Sequence, residues 1–143
     1  MNSQSTFFVT ILIAVVCLGC GKHVGLSGKV VFSDDDSPVP RGTVLFATST
    51  FQSQGDIKSD GTFTMGSFRE RDGLPPGTYS VSIFGAVEGI GDGRNERIYQ
   101  LLDSKWTSPS TSDYMIEVKK TTRNLVIKVD RNPQTLEQFE KRR

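Results

Sequence analysis

The chain has 143 residues and a net charge of +1, with 17 Lys and Arg residues against 16 Asp and Glu residues. The length suits one domain, and the balanced charge argues against a nucleic-acid binder, which usually carries a strong basic excess. Gly, Ser and Thr are plentiful while Leu and Ala are sparse. This composition favours strands and turns over helices.

The first twenty residues contain an apolar run that ends in a cysteine. The run Phe7–Cys20 has 14 residues, whereas a membrane-spanning helix needs about 20. A run of this length is typical of the apolar core of a signal peptide. We therefore expect residues 1–19 to be removed, which leaves 124 residues, enough to fold around a core of their own.

The end of the run resembles the lipobox of bacterial lipoproteins, on the residues Leu18-Gly19-Cys20-Gly21. The resemblance implies cleavage before Cys20, diacylglycerol on its sulfur and acylation of the new amino terminus. Each buried lipid methylene contributes roughly 0.8 kcal/mol to membrane affinity. Two features depart from the family pattern: Cys17 stands where leucine is usual, and Met1–Thr6 lacks Lys and Arg. The alternative is an ordinary signal peptide or an uncleaved anchor, with Cys20 incidental.

The residues after the cysteine bear on location. In lipoproteins of this kind an aspartate at the next position favours the inner membrane, and Gly21 stands there instead. The resemblance therefore implies lipid anchoring at the bacterial cell envelope, in the outer rather than the inner membrane. Residues 20–24 would form the lipidated cysteine and a short tether.

Alternation of apolar and polar residues predicts an all-β domain over residues 25–131. Half-buried strands need two sheets face to face, so the prediction is a seven-stranded β-sandwich. The strands are expected at Gly25–Phe32, Thr43–Thr48, Asp56–Lys58, Thr62–Met65, Thr78–Phe84, Met115–Lys119 and Asn124–Asp130. The inward side chains are expected to be Leu26, Val30, Phe32, Val44, Phe46, Phe63, Met65, Tyr79, Val81, Ile83, Ile116, Val118, Leu125, Ile127 and Val129.

Two segments between these strands carry turn signals. Ser33–Pro40 is a turn cluster with two prolines. Asp60-Gly61 is a tight-turn signal, which predicts that residues 56–58 and 62–65 pair as a hairpin. Residues 51–55 are polar and are expected to form a loop or a short strand.

The later part of the chain has weaker signals. Residues 86–113 are predicted to be irregular, with a flexible Gly89–Gly93 and one helical turn over Ile98–Leu102. Pro133 is expected to end the last strand. Residues 132–143 are expected to form a charged tail with a short helix.

The order of these signals resembles the carboxypeptidase regulatory-like domain, a transthyretin-like sandwich. The matching residues are Gly28-Lys29-Val30, Pro40-Arg41-Gly42-Thr43-Val44-Leu45-Phe46, Ser59-Asp60-Gly61-Thr62-Phe63 and Leu74-Pro75-Pro76-Gly77-Thr78-Tyr79-Ser80-Val81. A closer resemblance is to small planctomycete-type lipoproteins built on this domain, on the segment Lys105-Trp106-Thr107-Ser108-Pro109-Ser110-Thr111-Ser112. The resemblance implies a binding, spacing or stabilising module without catalysis.

No catalytic or metal-binding pattern stands out in the sequence, so no catalytic residue, metal or cofactor is predicted. His23, the only histidine, falls in the tether, where a solvated residue is expected rather than a proton shuttle. There is no Cys/His metal pattern, Gly-rich phosphate loop or serine nucleophile motif. Asp34–Asp36 is the best candidate for an ion, but three adjacent aspartates point in different directions in an extended chain. A solvated hairpin tip is the competing interpretation.

Three aromatic residues of the irregular segment form the candidate ligand or partner contact: Tyr99, Trp106 and Tyr114. An exposed, coplanar pair would suit a sugar ring, whereas core or loop anchoring is the alternative use of such residues. The basic end Lys141-Arg142-Arg143 can touch anionic headgroups or remain solvated.

The combined hypothesis is a non-enzymatic envelope lipoprotein. Its β-sandwich would bind or space an envelope protein or glycan, with the membrane contacted through lipid on Cys20 and no nucleic-acid partner. The alternative function is a carbohydrate-binding module that uses the aromatics of residues 86–114. An enzyme is a third hypothesis, which would need a cleft that gathers titratable groups.

Overall fold

The computed structural model describes residues 22–66, 72–91 and 96–140. Nine strands, one 3-10 helix and one α-helix lie in these residues. The strands are β1 (Leu26–Phe32), β2 (Gly42–Ala47), β3 (Gln52–Ile57), β4 (Thr62–Thr64), β5 (Gly77–Phe84), β6 (Val87–Ile90), β7 (Arg97–Gln100), β8 (Met115–Val118) and β9 (Thr122–Val129). The 3-10 helix is Ser104–Trp106, and the α-helix is α1 (Pro133–Glu140).

The strands form two main sheets and a separate hairpin. One sheet has the order β4-β1-β9, the other has the order β3-β2-β5-β8, and β6 pairs with β7. Strands β1 and β9 run parallel, and every other pairing within the sheets is antiparallel. The expectation of a mostly β protein is confirmed, but the expected count of seven strands is too low for the described residues.

The two additional strands correct the prediction for residues 86–113. Strands β6 and β7 form an antiparallel ladder in which Glu88 lies opposite Tyr99, so the helical turn predicted over Ile98–Leu102 is wrong. Isoleucine and tyrosine both favour extended backbone. Their pairing with β6 satisfies backbone groups that one isolated helical turn would leave open.

The predicted pairing of residues 56–58 with 62–65 is confirmed only beside the turn, where the Lys58 N–H donates to the Thr62 carbonyl at 2.9 Å. The Asp60-Gly61 turn forms, since Gly61 has φ of 82° and the Asp60 carboxylate accepts hydrogen bonds from the Thr62 N–H at 3.0 Å and hydroxyl at 2.6 Å. Beyond the turn, however, β3 pairs with β2 and β4 pairs with β1. The turn therefore connects the two sheets. Gly55 on β3 has no side chain, which lets the Thr64 carbonyl approach its backbone closely.

The buried side chains of both main sheets form one hydrophobic cluster. The predicted inward positions are confirmed: thirteen are buried, while Ile116 and Leu125 are partly buried and pack against the cluster. At about 1.5–3 kcal/mol for each large side chain, burial at these positions is a main source of stability. Val31, which alternates with the inward Val30 and Phe32 in β1, is also buried, and Pro38 of the following turn pairs with it.

The two ends of the domain differ in what they carry. At one end, which we call the tether end, the backbones of Val24 and Leu74 exchange hydrogen bonds of 2.8 and 3.1 Å. The Thr122 N–H donates to Gly25 at the same end. Because β1 and β9 are parallel, both also finish together at the opposite end, which we call the distal end. The distal end carries the turn of residues 33–37.

Candidate functional site

The predicted lipidation site, Cys20, lies outside the described residues, and so does the basic segment 141–143. The described chain starts at Lys22, and Val24 is already paired with Leu74. His23 is exposed and its ring contacts Phe51 edge-on at 6.2 Å between centroids. Val24, the first paired residue of the described chain, thus lies four residues after Cys20 in the sequence.

Of the three candidate aromatic residues, the structure brings Trp106 and Tyr114 together. Their ring centroids are 5.6 Å apart, with planes inclined at 49°. Trp106 is only 7% exposed and belongs to the hydrophobic core, while Tyr114 is half-buried against it. A sugar-binding platform needs exposed, flat rings, so this geometry favours core anchoring for Trp106.

Hydrogen bonds hold the segment from Trp106 to Tyr114 against β5. The Ser112 hydroxyl donates to the Val81 carbonyl, and the Ser80 hydroxyl donates to the Pro109 carbonyl at 3.1 Å. The Val81 N–H donates to the Tyr114 carbonyl at 2.9 Å. The segment from Trp106 to Tyr114, which we call the strap, is therefore held in a fixed position across β5.

The 3-10 helix that carries Trp106 is fixed at its start by charged groups. The Asp103 carboxylate accepts from the Lys105 N–H at 3.0 Å, and the Lys105 ammonium pairs with Asp130. Hydrogen bonds from Lys105 and Ser33 hold the pKa of Asp130 below its usual range. The buried Trp106 indole N–H has no hydrogen bond of normal geometry among the described residues.

The three adjacent aspartates of the distal end contact basic side chains. Arg131 Nε lies 2.9 Å from Asp34 Oδ2, and Arg131 Nη2 lies 2.9 Å from Asp35 Oδ2. Asp36, whose φ is 56°, pairs with Lys128 at 2.7 Å. Each carboxylate therefore already has a cationic partner within the fold.

Arg131 is the residue of this cluster that the sequence did not point to. Its guanidinium lies over the Phe32 ring at 3.6 Å from the centroid, and its Nη2 also donates to the Ser37 hydroxyl at 2.7 Å. Hydrogen bonds from Ser37, followed by the contact with Arg131, lower the pKa of Asp35 to about 2. No signal in the sequence links Arg131 to residues almost a hundred positions earlier.

Tyr99 lines a shallow cleft between β7 and the start of α1. The cleft has a volume of about 290 Å³ and is lined by Ile98, Tyr99, Gln100, Asn132, Gln134 and Thr135. The buried Thr135 hydroxyl donates to the Gln100 carbonyl at 2.7 Å, which fixes the helix against the strand. Among the described residues, this lining contains amides, a phenol and a hydroxyl, and it contains no carboxylate, imidazole, thiol or amine.

The described part of the chain offers no metal cluster and no membrane-spanning helix. Residues 22–66, 72–91 and 96–140 contain no group of three or more His, Cys, Asp or Glu side chains placed to hold a metal ion. Within the same ranges no helix has both the length and the apolar character to cross a membrane. Comparisons with protein-family models, with curated proteins and with solved structures gave no match.

Proposed function

We propose that this chain is a bacterial envelope lipoprotein that is cut before Cys20 and held by lipid on that cysteine, at the outer rather than the inner membrane. Its domain would act as a transthyretin-like β-sandwich of the carboxypeptidase regulatory-like kind. The function is non-enzymatic: the domain binds or spaces a protein or glycan of the envelope. The observation that carries this proposal is the Leu18-Gly19-Cys20-Gly21 motif at the end of an apolar run.

The distance between the motif and the fold supports this proposal. Val24 is the fourth residue after Cys20, and four extended residues span at most about 14 Å. A lipid on Cys20 would therefore hold the domain close to the bilayer. A tether that short suits a module that acts at the membrane surface.

The roles of the charged side chains support a non-catalytic function. The aspartates at positions 34–36 and 130 pair with Arg131, Lys128 and Lys105 and brace the turns of the distal end. Catalytic sites instead gather titratable groups in a cleft. The cleft beside Tyr99 is lined by side chains suited to binding rather than to proton transfer.

Labelled palmitate uptake in bacteria that produce the full chain tests the anchor. We expect the wild type to incorporate the label and Cys20→Ser to lose it. Cys17→Leu is the matched control, because position 17 lies in the segment that would be removed, and it should keep the label. Equal labelling of Cys20→Ser and wild type would overturn the proposal, and so would a mature protein that retains Met1–Gly19 by mass spectrometry.

A carbohydrate-binding function is the second candidate, and the cleft beside Tyr99 favours it. One aromatic ring among amide side chains suits the ring face and the hydroxyls of a sugar. Sedimentation with purified peptidoglycan tests this function. We expect Tyr99→Ala to reduce binding and Met115→Ala, an exposed substitution on β8, to leave it unchanged. Wild-type protein that stays in the supernatant would exclude this glycan as the ligand.

A further inference from the structure

The tether end of the domain carries a basic turn between β8 and β9. Its sequence is Lys119-Lys120-Thr121, and Arg123 follows in the second position of β9. All four residues are exposed. The first residue of β9, Thr122, is fixed beside Gly25 by a backbone hydrogen bond of 2.9 Å, so the turn lies next to the point where the chain enters the fold.

The turn packs closely against the residue that leads into β1. A β-carbon at Gly25 would lie 3.5 Å from the Thr121 methyl group. The parallel pairing of Leu26 with Thr122 continues this contact into the sheet. The position of the turn relative to residue 25 is therefore set by the β1–β9 ladder.

In the part of the chain that the structure describes, the charges at this end have an excess of cations. The exposed cations are Lys22, Lys119, Lys120 and Arg123. The carboxylates among the described residues there are Asp72 and Glu117, and Glu117 pairs with Lys119 at 3.0 Å. Among the residues that the structure describes, Lys120 and Arg123 take part in no ion pair within the 4.0 Å limit.

The aspartate-rich turn lies at the other end of the same strands. A strand of seven residues such as β1 is about 20 Å long, which exceeds twice the Debye length of about 8 Å at physiological ionic strength. The aspartates of the distal end are therefore screened from the tether end. A surface that faces the tether end therefore interacts mainly with the cations of that end.

We infer that the turn Lys119-Lys120-Thr121, together with Lys22 and Arg123, docks on anionic phospholipid headgroups beside the lipid anchor. This inference rests on the proposed lipidation of Cys20, since the anchor places this end of the domain at the membrane. Each Lys or Arg near an anionic surface raises the affinity about fivefold. Docking would fix the domain upright, with its distal end turned away from the bilayer.

A fluorescent probe in the turn tests this inference on the full lipidated chain. In the mature protein Cys20 would be blocked and Cys17 removed, so Thr121→Cys supplies a single free thiol for an environment-sensitive dye. The chain is reconstituted into vesicles of phosphatidylcholine alone or with about one third phosphatidylglycerol. We expect the dye to report a less polar environment, and stronger quenching by headgroup spin labels, only with phosphatidylglycerol. High salt should reverse both changes, because it screens charge.

Two matched double variants separate local charge from net charge. Lys120→Gln with Arg123→Gln removes two cations at the tether end and should lower the ratio of docked to undocked protein about 25-fold. Arg41→Gln with Lys58→Gln removes two exposed cations at the distal end and should leave the ratio unchanged. All four positions are exposed, and circular dichroism would confirm that each variant folds.

The outcomes distinguish this inference from the proposed anchor. Flotation with phosphatidylcholine vesicles reports the anchor, and the response to phosphatidylglycerol reports docking. Protein that floats but shows the same fluorescence on both vesicles refutes docking and leaves the anchor intact. Protein that fails to float with neutral vesicles refutes both. Equal effects of the two double variants would also refute docking, because net charge alone would then explain the response.

Discussion

Replacement of Arg131 by methionine is expected to destabilise the distal end. The side chain is 23% exposed and contacts Asp34, Asp35 and the Phe32 ring. Both carboxylates are about half exposed, so each ion pair contributes about 0.5 kcal/mol. The stacked guanidinium adds about 1 kcal/mol. The expected loss is about 2 kcal/mol, which lowers the melting temperature by about 8 °C in a domain of this size.

Urea denaturation of the full chain, followed by circular dichroism, measures this loss. Lys128→Met is the matched control, because Lys128 also pairs with an aspartate of the turn but has 57% of its side chain exposed. We expect this control to lose less than about 0.5 kcal/mol, as exposed pairs do. Arg131→Lys should fall between the two, because it keeps the charge but loses the planar guanidinium.

The salt dependence separates the contributions further. High salt should remove most of the effect of Lys128→Met, whereas the ring contact beneath Arg131 should persist because it is partly buried. Millimolar calcium should leave the melting temperature of the wild type unchanged, since Arg131 and Lys128 already pair with all three aspartates. Equal losses of stability in Arg131→Met and Lys128→Met would refute this account of the turn. Stabilisation of the wild type by calcium would refute the conclusion that the three carboxylates are already occupied by ion pairs.

Three further predictions concern stability. Burial raises the pKa of Tyr79, whose hydroxyl donates to the Pro75 carbonyl at 2.6 Å. The contribution of Tyr79 to stability should be complete below the unfolded pKa of about 10 and should fall as pH rises through the higher folded value. Tyr79→Phe should abolish this alkaline loss in urea titrations at several pH values, and it should cost about 1 kcal/mol at neutral pH. The pKa of Asp35 is lowered to about 2, so its contribution to stability should be complete above about pH 4 and should disappear as pH falls through about 2. Asp35→Asn should reduce this loss of stability at acid pH, and an unchanged loss would contradict the role given to Asp35. Gly28→Ala would drive a β-carbon into the Leu125 carbonyl and should cost about 1–3 kcal/mol in the same denaturation assay, whereas Gly85→Ala, with nothing within 4 Å of the added carbon but a φ of 69°, should show the cost of backbone strain alone.

The sequence predicted the strands whose buried face is made of large apolar residues. In β5, for example, the inward Tyr79, Val81 and Ile83 alternate with threonine and serine. Strand β3 was only partly predicted, because its buried positions include Ser53 and Gly55 and so have no apolar alternation. Strands β6 and β7 were missed because neither has a fully buried position that would mark an inward face.

The candidate site was less predictable than the fold for a different reason. The aromatic residues were found from their types, but whether Trp106 is exposed depends on how the strap crosses β5, which no local pattern encodes. The pairs of Arg131 join residues almost a hundred positions apart, and sequence reasoning from one chain has no access to such contacts. The basic turn was visible as Lys119-Lys120, yet its place beside the tether follows only from the parallel pairing of β1 with β9.

That parallel pairing also limits how far the domain can move from an anchor on Cys20. Terminal segments usually fray unless a sheet ties them down, and here the tether leads into β1, which is the middle strand of its sheet. Release of β1 would break its ladders with β4 and β9 together and expose core side chains such as Val30. Local opening at the tether end is therefore coupled to the core and cannot lengthen the tether at low cost. If Cys20 carries lipid as proposed, a short tether that cannot lengthen would keep the same end of the domain towards the bilayer. A few cations beside the anchor could then orient the whole domain.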